Sequence, residues 1–277
     1  MEFIEMIKAI ILGLVEGLTE FAPVSSTGHM ILVDDMWLKS EESLGKYPAN
    51  TFKIVIQLGS ILAVVVVFWK RFVDLLGLNR ILNKNAVVSK QRLKLSQVIV
   101  GLIPAGVFGV LFEDYIDEYL FSTETVLIGL VLGAILMIIA DRYAAKDPSA
   151  KSVDQITYKQ ALSVGLIQCF SLWPGFSRSG ATISGGVLVG MSHRAAADFT
   201  FIMAVPIMAG ASFLSLLKNW QYFEADAIPF FILGFISAFI FALISIKFFL
   251  KLIDRIKLTP FAIYRIVLVL IIVIFFL

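Results

Sequence analysis

Nearly all the residues that could do chemistry in this chain fall in two polar, glycine-punctuated segments. They are Glu16-Gly17-Leu18-Thr19-Glu20-Phe21-Ala22-Pro23-Val24-Ser25-Ser26-Thr27-Gly28-His29 and Trp173-Pro174-Gly175-Phe176-Ser177-Arg178-Ser179-Gly180-Ala181-Thr182. Glu16 and Glu20 are spaced i,i+4, so a helix would present both carboxylates on one face. Two like charges in a dry site need a neutraliser, either a divalent cation or Arg178. A donor set of oxygens, with one histidine near and no cysteine, favours Mg²⁺ or Ca²⁺ over zinc at Glu16 and Glu20. Ser25, Ser26, Thr27 and Gly28 would open a second half-helix, where hydroxyls and free N–H groups suit an anion; plain helix capping is the competing reading. His29 lies one turn further on, within reach to act as base or acid. Arg178 stands among Ser177, Ser179 and Thr182, and its fork of donors matches phosphate or carboxylate oxygens. Acids able to hold a cation, a hydroxyl–histidine pair and an arginine amid hydroxyls are the parts of a phosphate site.

The elements that must position these groups belong to a membrane. Hydrophobic residues make up 59% of the 277, charged residues 16%, and the mean hydropathy of +0.91 excludes an ordinary soluble domain. A net charge of +2 gives no reason to expect a nucleic-acid partner. Six stretches are long and apolar enough to span a bilayer: about 51–69, 96–112, 123–140, 198–217, 227–250 and 260–277. The motif-bearing stretches, about 4–37 and 158–190, are broken near their middles by Pro, Gly and Ser and read as re-entrant helical hairpins. The fold class expected is an all-α polytopic membrane protein forming a single integral membrane domain over 1–277. The start of the chain lacks the basic region of a cleavable leader, so a retained N-terminus is expected. Cys169 reads as a packing residue, His193 as a surface residue, and Lys8 and Arg265 as cations that snorkel to a membrane face. Trp69, Trp220, Tyr222 and Tyr264 read as interfacial aromatics.

Connection 70–94 holds seven Lys and Arg against one acid, and 141–159, 191–197 and 247–257 add nine more; 34–53, 113–124 and 218–226 hold four between them. The positive-inside rule makes the first group cytoplasmic and six alternating crossings follow. The two motif stretches also align at an offset of 152, with Ala9, Gly13, Leu14, Ser25, Gly28 and Ile31 matching Ala161, Gly165, Leu166, Ser177, Gly180 and Ile183. Glu16 then meets Gln168, and Ser26 meets Arg178. Each hairpin precedes three spans and the charge count sets the hairpins on opposite sides, which implies an inverted-topology repeat (about 1–140 and about 155–277) with the broken segments meeting near the midplane.

On these residues the chain resembles the undecaprenyl-diphosphate phosphatase family, the bacitracin-resistance membrane phosphatases. The markers are the two segments above together with Gln57-Leu58-Gly59-Ser60-Ile61-Leu62-Ala63-Val64, and the resemblance covers essentially all 277 residues. It implies hydrolysis of undecaprenyl diphosphate to the monophosphate at the outer side of a bacterial plasma membrane, recycling a carrier for cell-wall polymers, with Mg²⁺ or Ca²⁺ required. It implies a polyprenyl diphosphate lipid and the bilayer as partners, and a homodimer is a further expectation. The roles expected are Ser26 as nucleophile, His29 as proton carrier, Glu16 and Glu20 as cation ligands, and Arg178 with the hairpin hydroxyls and amides as phosphate binders. His29 as nucleophile, or a water activated by Glu20, remains open. A lipid flippase or secondary transporter using the same midplane site is the alternative function.

Overall fold

The computed structural model describes residues 3–78, 92–120, 122–219 and 227–276. Trp220, Tyr222 and most of the basic connection 70–94 lie outside the described residues. Within them the chain is helical: α1 (Phe3–Thr19), α2 (Ser26–Met30), which runs on as a π-helix over Ile31–Leu38, α3 (Ser40–Leu44), α4 (Lys46–Val67), α5 (Trp69–Leu75), α6 (Leu95–Tyr119), α7 (Thr123–Arg142), α8 (Tyr158–Gln168), α9 (Arg178–Leu188), α10 (His193–Asn219), α11 (Ile228–Ile256) and α12 (Thr259–Phe276).

Four helices are each long and apolar enough to cross a membrane: Leu95–Phe112 of α6, Thr123–Arg142, His193–Leu214 of α10, and Ile228–Ile256. The span expected at 51–69 is a bent pair, Thr51–Val67 of α4 turning into α5 by 81°. The last expected span is a shorter apolar helix, Thr259–Phe275. α11 shows why these helices are apolar on every side. Ile232, Ile236, Ile240, Ile244 and Phe248 recur every fourth residue and face outward, where lipid rather than water accepts them, while Gly234, Ala238, Ala242 and Ser245 face inward.

Small residues set how closely the helices approach. Gly13 and Gly17 of α1 lie against the backbone carbonyls of Gly234 and Ala238 on α11, leaving no room for a Cβ. Two hydroxyls fasten the same seam, Ser237 Oγ donating to the Ile10 carbonyl (2.7 Å) and Ser245 Oγ to that of Leu18 (2.9 Å). The counterpart contact is Gly165 of α8 against the carbonyl of Gly101 on α6. So α1 of the first half packs on α11 of the second, and α8 of the second half packs on α6 of the first, while α4 meets α10 and α7 meets α12.

Each motif stretch consists of two helices joined by a turn. α1 ends at Thr19 and α2 starts at Ser26; α8 passes through a 3-10 turn over Cys169–Leu172 before α9 starts at Arg178. The breaks therefore fall where Pro, Gly and Ser cluster in the sequence.

Three expectations about single residues are corrected. Arg265 does not snorkel: it is fully buried, its guanidinium donating to the Gly175 carbonyl (2.8 Å) and the Gly129 carbonyl (3.3 Å). Its position on α12 aims it into the protein at the glycines of α7, where Gly133 leaves space for it. Tyr264 is not merely interfacial, because its hydroxyl meets His29. His193 is tied down rather than free on the surface, with Nε2 2.8 Å from Asp141 Oδ1. Asp141 Oδ2 in turn accepts from the Leu258 and Thr259 amides, capping α12.

Candidate active site

The two turns share one backbone solution. Ser25 (φ 71°, ψ 101°) and Ser177 (φ 75°, ψ 116°) both sit in a region that side-chain-bearing residues rarely adopt, at a cost of about 1–3 kcal/mol. In each case the serine Oγ accepts from the amide three residues on, Gly28 N at 3.4 Å and Gly180 N at 3.2 Å, which caps the following helix. The residue after each cap, Ser26 in one turn and Arg178 in the other, opens the helix and lines a common cavity of about 280 Å³.

Glu20, at the end of α1, joins the turns. Arg178 Nη2 donates to its Oε1 at 2.9 Å and Ser26 Oγ donates to its Oε2 at 2.6 Å. The Glu20 and Arg178 side chains are 9% and 14% exposed, so the pair is shielded from bulk solvent while keeping an edge on the cavity. Arg178 is steadied from behind by the ring of Phe21, 5.9 Å from its guanidinium carbon. Ser179 Oγ donates to the Ala22 carbonyl (3.1 Å) and binds one turn to the other. Thr182 donates to the Arg178 carbonyl (2.8 Å) and accepts from Thr200 (2.8 Å).

Ser25, Ser26, Thr27, Ser177, Arg178 and Glu20 therefore meet at one cavity. Ser179 and Thr182 stand behind it as braces, and Gly28 packs beneath Leu130. Glu16 and Glu20 are not equivalent. Glu16 is buried a turn earlier in α1, and its Oε1 has no hydrogen-bond partner among the described residues.

His29 is placed differently from the expectation of a Ser26–His29 pair. Its Nδ1 lies 2.8 Å from the Ser25 carbonyl, which can only accept, so Nδ1 carries a proton. Its Nε2 lies 2.7 Å from the Tyr264 hydroxyl, and the two rings stack at 7° between planes. Both nitrogens are thus occupied toward α12 and the backbone, and the Ser26 proton goes to Glu20 instead.

Four residues of the site carry little signal in the sequence. Tyr264 and Arg265 stand there only as residues near a membrane face. Gln57 and Gln168 line the cavity as neutral amides. The one available signal for Gln168 was its alignment with Glu16, and for Gln57 its place in the motif shared with Gly59 and Ser60.

Comparison with known proteins bears on the whole chain. The family described as "Bacitracin resistance protein BacA" matches residues 9–271. A protein of Geobacillus sp. (strain WCH70) named "Undecaprenyl-diphosphatase" is 79% identical over 272 residues, 98% of each chain. Proteins of the same name from Geobacillus thermodenitrificans (strain NG80-2) and Bacillus subtilis (strain 168) are 73% and 62% identical, covering 98% and 95% of each chain.

Proposed function

This chain belongs to the bacitracin resistance protein BacA family, and from that premise we propose how its two turns hydrolyse undecaprenyl diphosphate to undecaprenyl phosphate and inorganic phosphate. The transporter alternative draws no support from relatives that carry an enzyme's name over their full length.

The observation that carries the mechanism is the short Ser26–Glu20 hydrogen bond facing Arg178. Ser26 Oγ attacks the terminal phosphorus and its proton passes to Glu20 Oε2, 2.6 Å away. The bond from that phosphorus to the bridging oxygen breaks, and the bridging oxygen leaves on the lipid-linked phosphate. Water then cleaves the phosphoserine, releasing inorganic phosphate and returning the proton to Ser26. Arg178 spreads its donors over the transferring group, whose charge lies on its outer oxygens. His29 acts as a positioning residue, holding the Ser25 carbonyl and with it the strained cap that presents Ser26.

Residues of this chain fit a hard divalent cation. Glu20 offers oxygens at the cavity, and the Glu16 oxygen behind it is buried without a partner. No group of three His, Cys, Asp or Glu side chains is gathered among the described residues, so such a cation would complete its shell from the phosphates, as Mg²⁺ commonly does. When bound it supplies neutralisation of phosphate charge.

The six spans, the re-entrant path of both hairpins and the inverted repeat of about 1–140 and about 155–277 are part of the same proposal. The matched Ser25 and Ser177 caps and the reciprocal packing of α1 on α11 and α8 on α6 support it. An outward-facing site in the plasma membrane rests on the distribution of Lys and Arg. Homodimer assembly is checked by the particle mass of the purified protein.

The test is phosphate release from polyprenyl diphosphate by purified protein, with and without chelator. Release that stops with chelator and returns with Mg²⁺ or Ca²⁺ is expected; release indifferent to chelation removes the cation. For orientation, a cysteine at Thr27 in a Cys169→Ala background should react with an impermeant thiol reagent from outside, and labelling only from the cytoplasm overturns the outward site.

A further inference from the structure

Gln168 lines the cavity from the end of α8. It is 1% exposed, and both its Oε1 and Nε2 are buried without a partner among the described residues, although it lines the cavity beside the catalytic groups. Burying an unsatisfied amide is unfavourable, and a ligand group that bonds to it recovers that loss. Its backbone carbonyl anchors the following 3-10 turn, accepting from Ser171 Oγ at 2.6 Å.

The lining of the cavity divides into two unlike sets of residues. Glu20, Ser26 and Arg178 make one charged and catalytic. The rest of the lining is neutral, with Gln168 at the end of α8, Leu172 on the turn that follows, Ala105 from α6, Ile207 and Met208 from α10, and Gln57 from α4 as a second amide. A lipid diphosphate has the same polarity: a terminal phosphate bearing most of the charge, an inner phosphate esterified to the lipid, then hydrocarbon. Neutral donors suit the inner phosphate, which gains charge only as the bridging bond breaks. At the aligned position the first hairpin carries Glu16, and a carboxylate in place of Gln168 would repel that phosphate.

Resting on the proposed function above, we propose that Gln168, assisted by Gln57, forms a subsite for the phosphate that stays on the lipid. The amide N–H groups donate to its oxygens, hold the substrate with its terminal phosphorus toward Ser26, and retain the monophosphate product after transfer.

The experiment measures inhibition of the full-length protein in detergent by each product separately, polyprenyl monophosphate in one series and inorganic phosphate, which takes the Arg178 region, in the other. Gln168→Ala should weaken monophosphate inhibition roughly tenfold, the scale of one hydrogen bond to a charged group, while inhibition by inorganic phosphate alone moves less than twofold. Gln168→Glu, which keeps size and polarity, should weaken it at least as much and serves if the alanine variant is not monodisperse. If both inhibitors shift together, or the monophosphate constant moves less than twofold in both variants, the subsite is overturned. Wild-type protein that releases no phosphate from polyprenyl diphosphate overturns the proposed function itself, a separate result from either.

Discussion

The two motif turns share one backbone cap and carry opposite chemistry. At each turn a serine at positive φ caps a helix through a glycine amide three residues on, and the next residue faces the shared cavity. In the first hairpin that residue is Ser26, backed by the carboxylate of Glu20; in the second it is Arg178, and Leu172 stands at the position aligned with Glu20. One turn thus presents a hydroxyl hydrogen-bonded to a carboxylate, the other a guanidinium. Their union is the Glu20–Arg178 pair at 2.9 Å. A strained turn used twice shows that the turn is a mounting, and that the reaction is written in the side chains hung on it.

Four substitutions sharpen that division, in decreasing order of effect. Ser26→Ala should cut turnover by about 10³-fold or more while polyprenyl diphosphate still binds, because a nucleophile acts mainly in the transition state. Retention of a tenth of wild-type turnover would pass the nucleophile's role to His29 or to water. Glu20→Gln removes the proton acceptor and one half of the bridge between hairpins, and should lose about 10²- to 10⁴-fold in turnover with the protein still monodisperse. Unchanged turnover and cation dependence would remove Glu20 from the site. Arg178→Lys keeps the charge and loses the fork, so roughly a 10²-fold fall in kcat/KM is expected, with weaker substrate binding as well as slower turnover. A fall confined to turnover would show that the second hairpin does not bind the ground state. Tyr264→Phe, which only frees His29 Nε2, should cost less than tenfold; a loss as deep as that of Glu20→Gln would put His29 on the proton path.

Much of this was legible in the sequence because apolar length and turn chemistry are local signals. The two helix breaks follow from Pro23, Ser25 and Gly28 and from Pro174, Gly175 and Ser177, and both fall where these residues place them. What was not legible depends on tertiary direction. The i,i+4 spacing of Glu16 and Glu20 says that they share a helix face, but not that one turn of α1 is buried while the next ends at a cavity. The i,i+3 spacing of Ser26 and His29 gives proximity, and only the packing of α12 against this region decides that the imidazole turns to Tyr264. Arg265 looked like a cation near a membrane face because its partners are backbone carbonyls of Gly129 and Gly175, which no pattern of charged residues announces. The shared turn shows in the sequence only as an alignment at an offset of 152; its physical content, two serines at nearly the same φ, belongs to the folded backbone.

The central claim is that Ser26 of the first hairpin takes the phosphoryl group before water does. It is tested most directly by the stereochemistry at phosphorus, using a polyprenyl diphosphate analogue whose terminal thiophosphate is made chiral with oxygen isotopes. Each in-line displacement inverts the centre, so transfer to Ser26 followed by hydrolysis predicts net retention in the released thiophosphate. Net inversion would mean a single displacement by water, and would contradict Ser26 as the nucleophile.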